Sequence, residues 1–226
     1  MYDIDAQSRS VPNVRTSFIN QVFAYFALAI GLTALGVYLG YSFALVNPEL
    51  FTNPILFYGA FALELVLIFT SGAWQAIRPW GVVLFCVFAL LTGYTMAPLL
   101  TYVAMTAGLP IIIKALVSTM AMFGGAAIFG AITKKDLSSM GGMLMVMLIG
   151  IIIAGIINIF LKSSMFEIMI SLGGIILFTV FTAFDIQMIR TRYADNMSIS
   201  AAISLFLNFI NLFQFVLRFL LSMSRE

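Results

Sequence analysis

Seven stretches of this 226-residue chain run for about 20 residues nearly free of charge, and no other feature constrains its fold as tightly. They run roughly from Phe18 to Phe43, Ile55 to Ala73, Trp80 to Leu100, Pro110 to Ile132, Met140 to Leu161, Phe166 to Ile189, and Ile199 to Leu221. A helix needs about 20 mostly apolar residues to cross the hydrocarbon core of a bilayer. Only helices and closed barrels satisfy their backbone polar groups in lipid, and unbroken runs rather than alternation indicate helices. Hydrophobic residues make up 62% of the chain and charged residues 9%, against about 45–50% and about 25% in soluble domains. Such a chain has no polar skin. That excludes a soluble enzyme, a disordered chain and a nucleic-acid binder, and predicts an all-α integral membrane protein.

The connections are short and hold helix breakers. Asn47, Pro48, Asn53 and Pro54 separate the first two spans, and Arg78 with Pro79 the next two. Gly108 and Pro110 follow the third span, and Lys134, Lys135 and Asp136 the fourth. No loop could hold a soluble domain, so residues 18–226 are expected to form a single seven-helix transmembrane domain. No internal repeat is visible, which weakens an inverted-repeat transporter.

Residues Met1 to Ser17 carry Asp3, Asp5, Arg9 and Arg15. Their length and mixed charge predict a retained cytoplasmic tail rather than a cleaved signal. With the N-terminus inside, the inner face receives Arg9, Arg15, Arg78, Lys134, Lys135, Arg190 and Arg192. The outer face receives Lys114, Lys162, Arg218 and Arg225, the bias expected of the positive-inside rule. Seven spans put the C-terminus outside. If the last, most polar span failed to cross, the count would be six and the C-terminus inside.

The chain has no histidine, which removes imidazole catalysis, metal ligation and pH switching. Its single cysteine, Cys86, lies in an apolar run and reads as a small buried hydrophobe. Gly36 with Gly40, Gly124-Gly125, Gly150 with Ala154, and Gly173-Gly174 read as sites of close helix packing. Trp74 and Trp80 flank a loop as interfacial aromatics do.

Ionisable residues inside a span cost about 2.5–3.5 kcal/mol at a helix centre. Two acids qualify, Glu64 in the second span and Asp185 in the sixth. Each is a functional candidate, against a plain packing role: a helix–helix hydrogen bond in the protonated form for Glu64, a structural pair with Arg190 or another cytoplasmic-end base for Asp185. Ser171, Gly174, Phe178, Thr182 and Asp185 share one face of the sixth span. Ser204, Asn208, Asn211, Gln214 and Arg218, spaced four, three, three and four apart, form a polar ridge on the seventh. Such a ridge should face helices or water, and Asp185 meeting it is the simplest arrangement. Carboxylate, amide and backbone oxygens suit hard cations such as Ca²⁺, with Asp185 the candidate ligand. A carboxyl that gains a proton loses its hold on a cationic partner. Composition and spacing therefore allow a proton-sensitive cation path without demanding one.

Four ordered motifs resemble those of the Bax inhibitor-1 family, the transmembrane proteins with the Bax inhibitor motif. They are LLTGYTMAPLL (Leu90 to Leu100), FGAITKKDLSSMGG (Phe129 to Gly142), FTAFDIQMI (Phe181 to Ile189) and LFLNFINLF (Leu205 to Phe213). The resemblance covers nearly the whole chain, and the short tails are like those of bacterial members. It implies six helices surrounding a central seventh, a bacterial inner (plasma) membrane location, and a pH-sensitive calcium leak channel. It also implies a pair of aspartates on the sixth and seventh spans as latch and proton sensor. Asp185 matches the first. The second falls on Asn208, which cannot ionise or share a proton between carboxylates but can still hydrogen-bond Asp185.

The resemblance leaves an alternative open. Some bacterial relatives without the second acid are implicated in restraining the membrane-anchored AAA protease FtsH, so this chain could be an interaction protein without transport. A proton-coupled transporter using Glu64 and Asp185 is a third reading. The seventh span has no lysine for a retinal Schiff base, and no enzyme constellation or resident cofactor is visible. The expected partners are the lipid bilayer, permeant Ca²⁺ and, in the alternative, FtsH.

Overall fold

The computed structural model describes residues 11–47, 53–75, 77 and 79–224, and of 11–14 the backbone alone. All regular structure among them is helical: α1 (Val11–Val46), α2 (Pro54–Phe69), α3 (Ser71–Trp74), α4 (Trp80–Thr106), α5 (Leu109–Ile132), a 3₁₀ turn (Ser138–Met140), α6 (Gly141–Leu161), α7 (Ser164–Thr191) and α8 (Ser198–Met223). Local chemistry sets many of the ends. The Asn53 carboxamide accepts from the Ile55 N–H, with Pro54 opening α2. Ser163 caps α7 through the Phe166 N–H, just after Lys162 turns the chain in the left-handed region at φ 49°. Gly108, at φ 84°, is the other positive-φ residue among the described residues and joins α4 to α5.

Six of these helices, α1 and α4 to α8, are long and apolar enough to cross a membrane. The apolar runs place α5 to α8 to within two residues at each end, whereas α4 continues past the expected Leu100 to Thr106. The departure is at the second run, where the expected 55–73 span divides. Helix α2 has 16 residues, about 24 Å at 1.5 Å per residue, against a core of about 30 Å. At its end the Thr70 N–H and hydroxyl both donate to Val66 O, at 2.9 and 2.6 Å, and the Trp74 indole donates to Leu67 O at 3.1 Å. At the other extreme, α1 begins at Val11, so residues 11–17 of the expected polar tail continue the first helix.

Burial differs sharply among the six. Only 6% of the most apolar window around α6 is buried, against 67% for α8. A helix that is apolar all round and uncovered is stable with lipid, not water, against it.

The chain divides into two compact units by its internal contacts. The first holds residues up to Leu99 with Tyr193–Phe206. Here α1 and α4 meet backbone to backbone. A Cβ on Gly93 would strike the Thr33 carbonyl and lie 2.9 Å from the Gly36 Cα, and the Thr33 hydroxyl reaches Ala89 O on α4 at 3.0 Å. Phe206, fully buried, stands edge-on to Phe85 and Phe88. At the start of α1, Arg15 donates to the Tyr193 carbonyl at 2.7 Å and to Asp195 at 2.9 Å, with its guanidinium 4.9 Å from the Phe18 ring.

The second unit holds Leu100–Arg192 with the chain from Leu207 onward. Helices α5 and α7 touch at Gly130, where a Cβ would collide with the Ala183 backbone. On α8, Phe209 stands edge-on to Phe123, and Phe215 stacks on Phe178 of α7 at 5.8 Å.

Candidate functional site

Within the second unit, Asp185 of α7 and Asn208 of α8 meet. The Asn208 Nδ2 donates to the Asp185 Oδ2 at 2.7 Å. Asn208 is 5% exposed, so its amide has left water and depends on this acceptor. Both residues lie inside helices of spanning length, where a lone polar group is costly. Contacts near the pair are tight. Gly130 presses on the turn that carries Ala183, two residues before Asp185, and farther along α7 and α8 a Cβ at Gly174 would enter the Phe215 ring. Packed interfaces of this kind change by switching between arrangements rather than by gradual give.

The rest of the expected polar face does not converge on Asp185. Thr182 is fully buried, but its hydroxyl donates back to Phe178 O at 2.8 Å. Asn211 does the same with Leu207 O at 2.8 Å. Gln214 is half-buried and Arg218 exposed, and neither bonds to Asp185 among the described residues. Ser204 falls in the first unit, where it lies 3.4 Å from the Tyr193 hydroxyl and 3.3 Å from Ser200 O. Ser171 is buried with no hydrogen-bond partner among the described residues. The ion pair of Asp185 with Arg190, the packing alternative, is absent among the described residues. The ridge expected on the last helix thus contributes one residue, Asn208. Short polar side chains can satisfy themselves on their own i−4 carbonyls, and two of the ridge's residues do so.

Glu64 forms a separate cluster in the first unit. It accepts from the Thr92 hydroxyl at 2.7 Å and the Thr95 hydroxyl at 2.9 Å. These are helix–helix hydrogen bonds between α2 and α4. Thr92 and Thr95 carry no signal of their own in the sequence, although both lie in the LLTGYTMAPLL segment.

No group of three or more His, Cys, Asp or Glu able to hold a metal occurs among the described residues. Calcium takes six to eight oxygen ligands. One carboxylate and one amide do not make a resident site, though they offer two oxygen-bearing groups to a passing cation.

A second residue of the FTAFDIQMI segment does unforeseen work. Gln187, 8% exposed, accepts from the Leu137 N–H and donates to the Lys135 carbonyl, both at 2.7 Å. It pins the loop between α5 and α6 to α7. Beyond it, Arg192 reaches Asp136 at 3.3 Å and the Ser138 hydroxyl at 2.8 Å. The Ser138 N–H and hydroxyl, and then the Arg192 charge, hold the Asp136 carboxyl below its ordinary value.

A family model described as "Inhibitor of apoptosis-promoting Bax1" matches residues 15–225. The inner membrane protein YbhL of Escherichia coli K12 is 33% identical over 214 residues, covering 89% of this chain and 90% of its own. An uncharacterized protein of Campylobacter jejuni is 35% identical over 229 residues, covering 98% and 97%. An uncharacterized membrane protein of Streptococcus pyogenes serotype M3 is 32% identical over 211 residues, covering 89% and 90%.

Proposed function

The chain belongs to the Bax inhibitor-1 family of membrane proteins, and from that premise we propose that it is a pH-sensitive leak channel for Ca²⁺ with Asp185 as its proton-responsive group. The observation that carries this reading is the 2.7 Å hydrogen bond joining α7 to α8 through Asp185 and Asn208. An amide donating to an ionised carboxylate makes a bond roughly twice as strong as a neutral one. Protonation of Asp185 removes that assistance and loosens the contact between the two helices. The freed carboxyl and amide oxygens replace part of the hydration shell of a passing Ca²⁺. In this reading α8, the most buried of the spans, is the central helix. Six others surround it, with the short α2 among them, in an inner (plasma) membrane with the N-terminus cytoplasmic.

Because position 208 is Asn, a single carboxyl titrates in the pair. Its pH response is therefore a one-proton curve, without the two coupled steps of a carboxylate dyad. The alternative, modulation of a protease of the FtsH type, invokes capture by the N-terminal tail, whose first ten residues lie outside the described residues. No observation among the described residues favours it over conduction.

The test is Ca²⁺ entry into liposomes holding the purified protein, measured from mildly alkaline to mildly acidic pH. Wild type should pass Ca²⁺ and pass more as the pH falls, and Asp185→Asn should flatten the profile. Absence of flux in wild type, or a wild-type pH profile in the variant, would overturn the reading.

A further inference from the structure

Loop residues at the end of a span are ordinarily solvated and independent of one another, but those between α5 and α6 are held in place. Gln187 grips the backbone on both sides of Asp136, at Lys135 O and Leu137 N. Arg192 closes on Asp136 and Ser138 from the end of α7. The buried Leu137 side chain plugs the loop against Ala126 and Ala183. Held this way, Lys134 and Lys135 are exposed at the end of α5. Arg190, also exposed, stands one turn beyond Gln187 on the same side of α7. Lys134, Lys135 and Arg190 form no ion pair among the described residues. Asp136, the acid within the cluster, is already engaged by Arg192.

Three cations with no ion pair among the described residues, two on the pinned loop and one a turn beyond Gln187 on α7, are complementary to the phosphate layer of a membrane leaflet. Basic residues clustered at the ends of spanning helices attract anionic headgroups, and the Gln187 staple keeps the loop that carries two of them on α7. We propose that Lys134, Lys135 and Arg190, positioned by Gln187, form a binding site for the headgroup of an anionic phospholipid. The site does not depend on ion conduction by the protein.

The full-length protein is placed in bilayers of phosphatidylglycerol and phosphatidylcholine, and the phospholipids that stay bound are counted by native mass spectrometry. Wild type should retain phosphatidylglycerol in excess of its share of the bilayer. Lys135→Gln with Arg190→Gln should cut that enrichment at least about fivefold, the size of one basic residue's attraction to an anionic surface. Lys114→Gln with Lys162→Gln removes the same charge from exposed positions outside the site and should leave the enrichment intact. All four positions are exposed, so both double variants should fold. Gln187→Met keeps every charge but frees the loop, and should lower the enrichment. The proposal is overturned if wild type shows no preference, if the two double variants lose it equally, or if Gln187→Met retains it in full.

Discussion

The amide of Asn208 donates to the carboxylate of Asp185 across 2.7 Å, from the last helix to the one before it. The pair has a carboxyl on one side only, which makes the residue opposite it a direct experimental handle. Asn208→Asp places two carboxylates within hydrogen-bond reach, where like charges cannot both ionise readily and the protons leave in two steps. The expected outcome is a stronger pH response of Ca²⁺ flux than in wild type, spread over a broader pH range. An unchanged profile in the same liposome assay would argue against a latch at these two positions.

The glycines separate into two classes that respond oppositely to a methyl group. A Cβ at Gly130 meets the Ala183 backbone, which cannot move aside. Gly130→Ala should therefore cost about 1–3 kcal/mol, as overpacking does. Gly150 has open space around its Cα, so Gly150→Ala should stabilise by about 0.5–1 kcal/mol through helix propensity alone. Thermal unfolding midpoints of the two variants in one detergent should shift in opposite directions.

Removal of the Gln187 side chain strips a partner from the Leu137 N–H and from the Lys135 carbonyl. Gln187→Leu should destabilise by about 1–3 kcal/mol, the cost of an unsatisfied buried group. Limited proteolysis offers an independent check, since cleavage within 133–140 should become faster in the variant than in wild type.

Asp136 provides a pH control. Its folded value is depressed, chiefly by the Ser138 N–H and hydroxyl, with Arg192 adding to them. A depressed acid contributes stability that is present above its unfolded value of about 3.9 and is lost as the pH falls through the folded one. Its contacts therefore persist through mild acid. Asp136→Asn should leave the mildly acidic part of the flux profile unchanged while Asp185→Asn alters it. A shift of equal size in both variants would place the pH response in the loop instead.

Much of the architecture is legible without coordinates. Apolar runs locate all six spanning helices and place α5 to α8 to within two residues, because the bilayer imposes a length and the cost of charge in lipid leaves few exceptions. Asn53, Pro54, Gly108 and Pro110 mark helix ends through chemistry confined to a few neighbouring residues. The same scarcity of charge isolates Asp185 and Glu64 as the acids well within apolar runs.

What the tertiary structure alone decided is which residues stand opposite one another. Helical periodicity assigns Ser204, Asn208, Asn211, Gln214 and Arg218 to one ridge, but the axial offset of the neighbouring helix selects Asn208 for Asp185. Asn211 and Thr182 turn back to their own carbonyls, an option that spacing cannot reveal. The division of glycines into contact sites and open ones depends on that offset too, as do the pairing of Glu64 with two threonines and the grip of Gln187 on a loop 50 residues away. Periodicity is a property of one helix, whereas contact is a property of two, set by how closely and at what height their backbones meet.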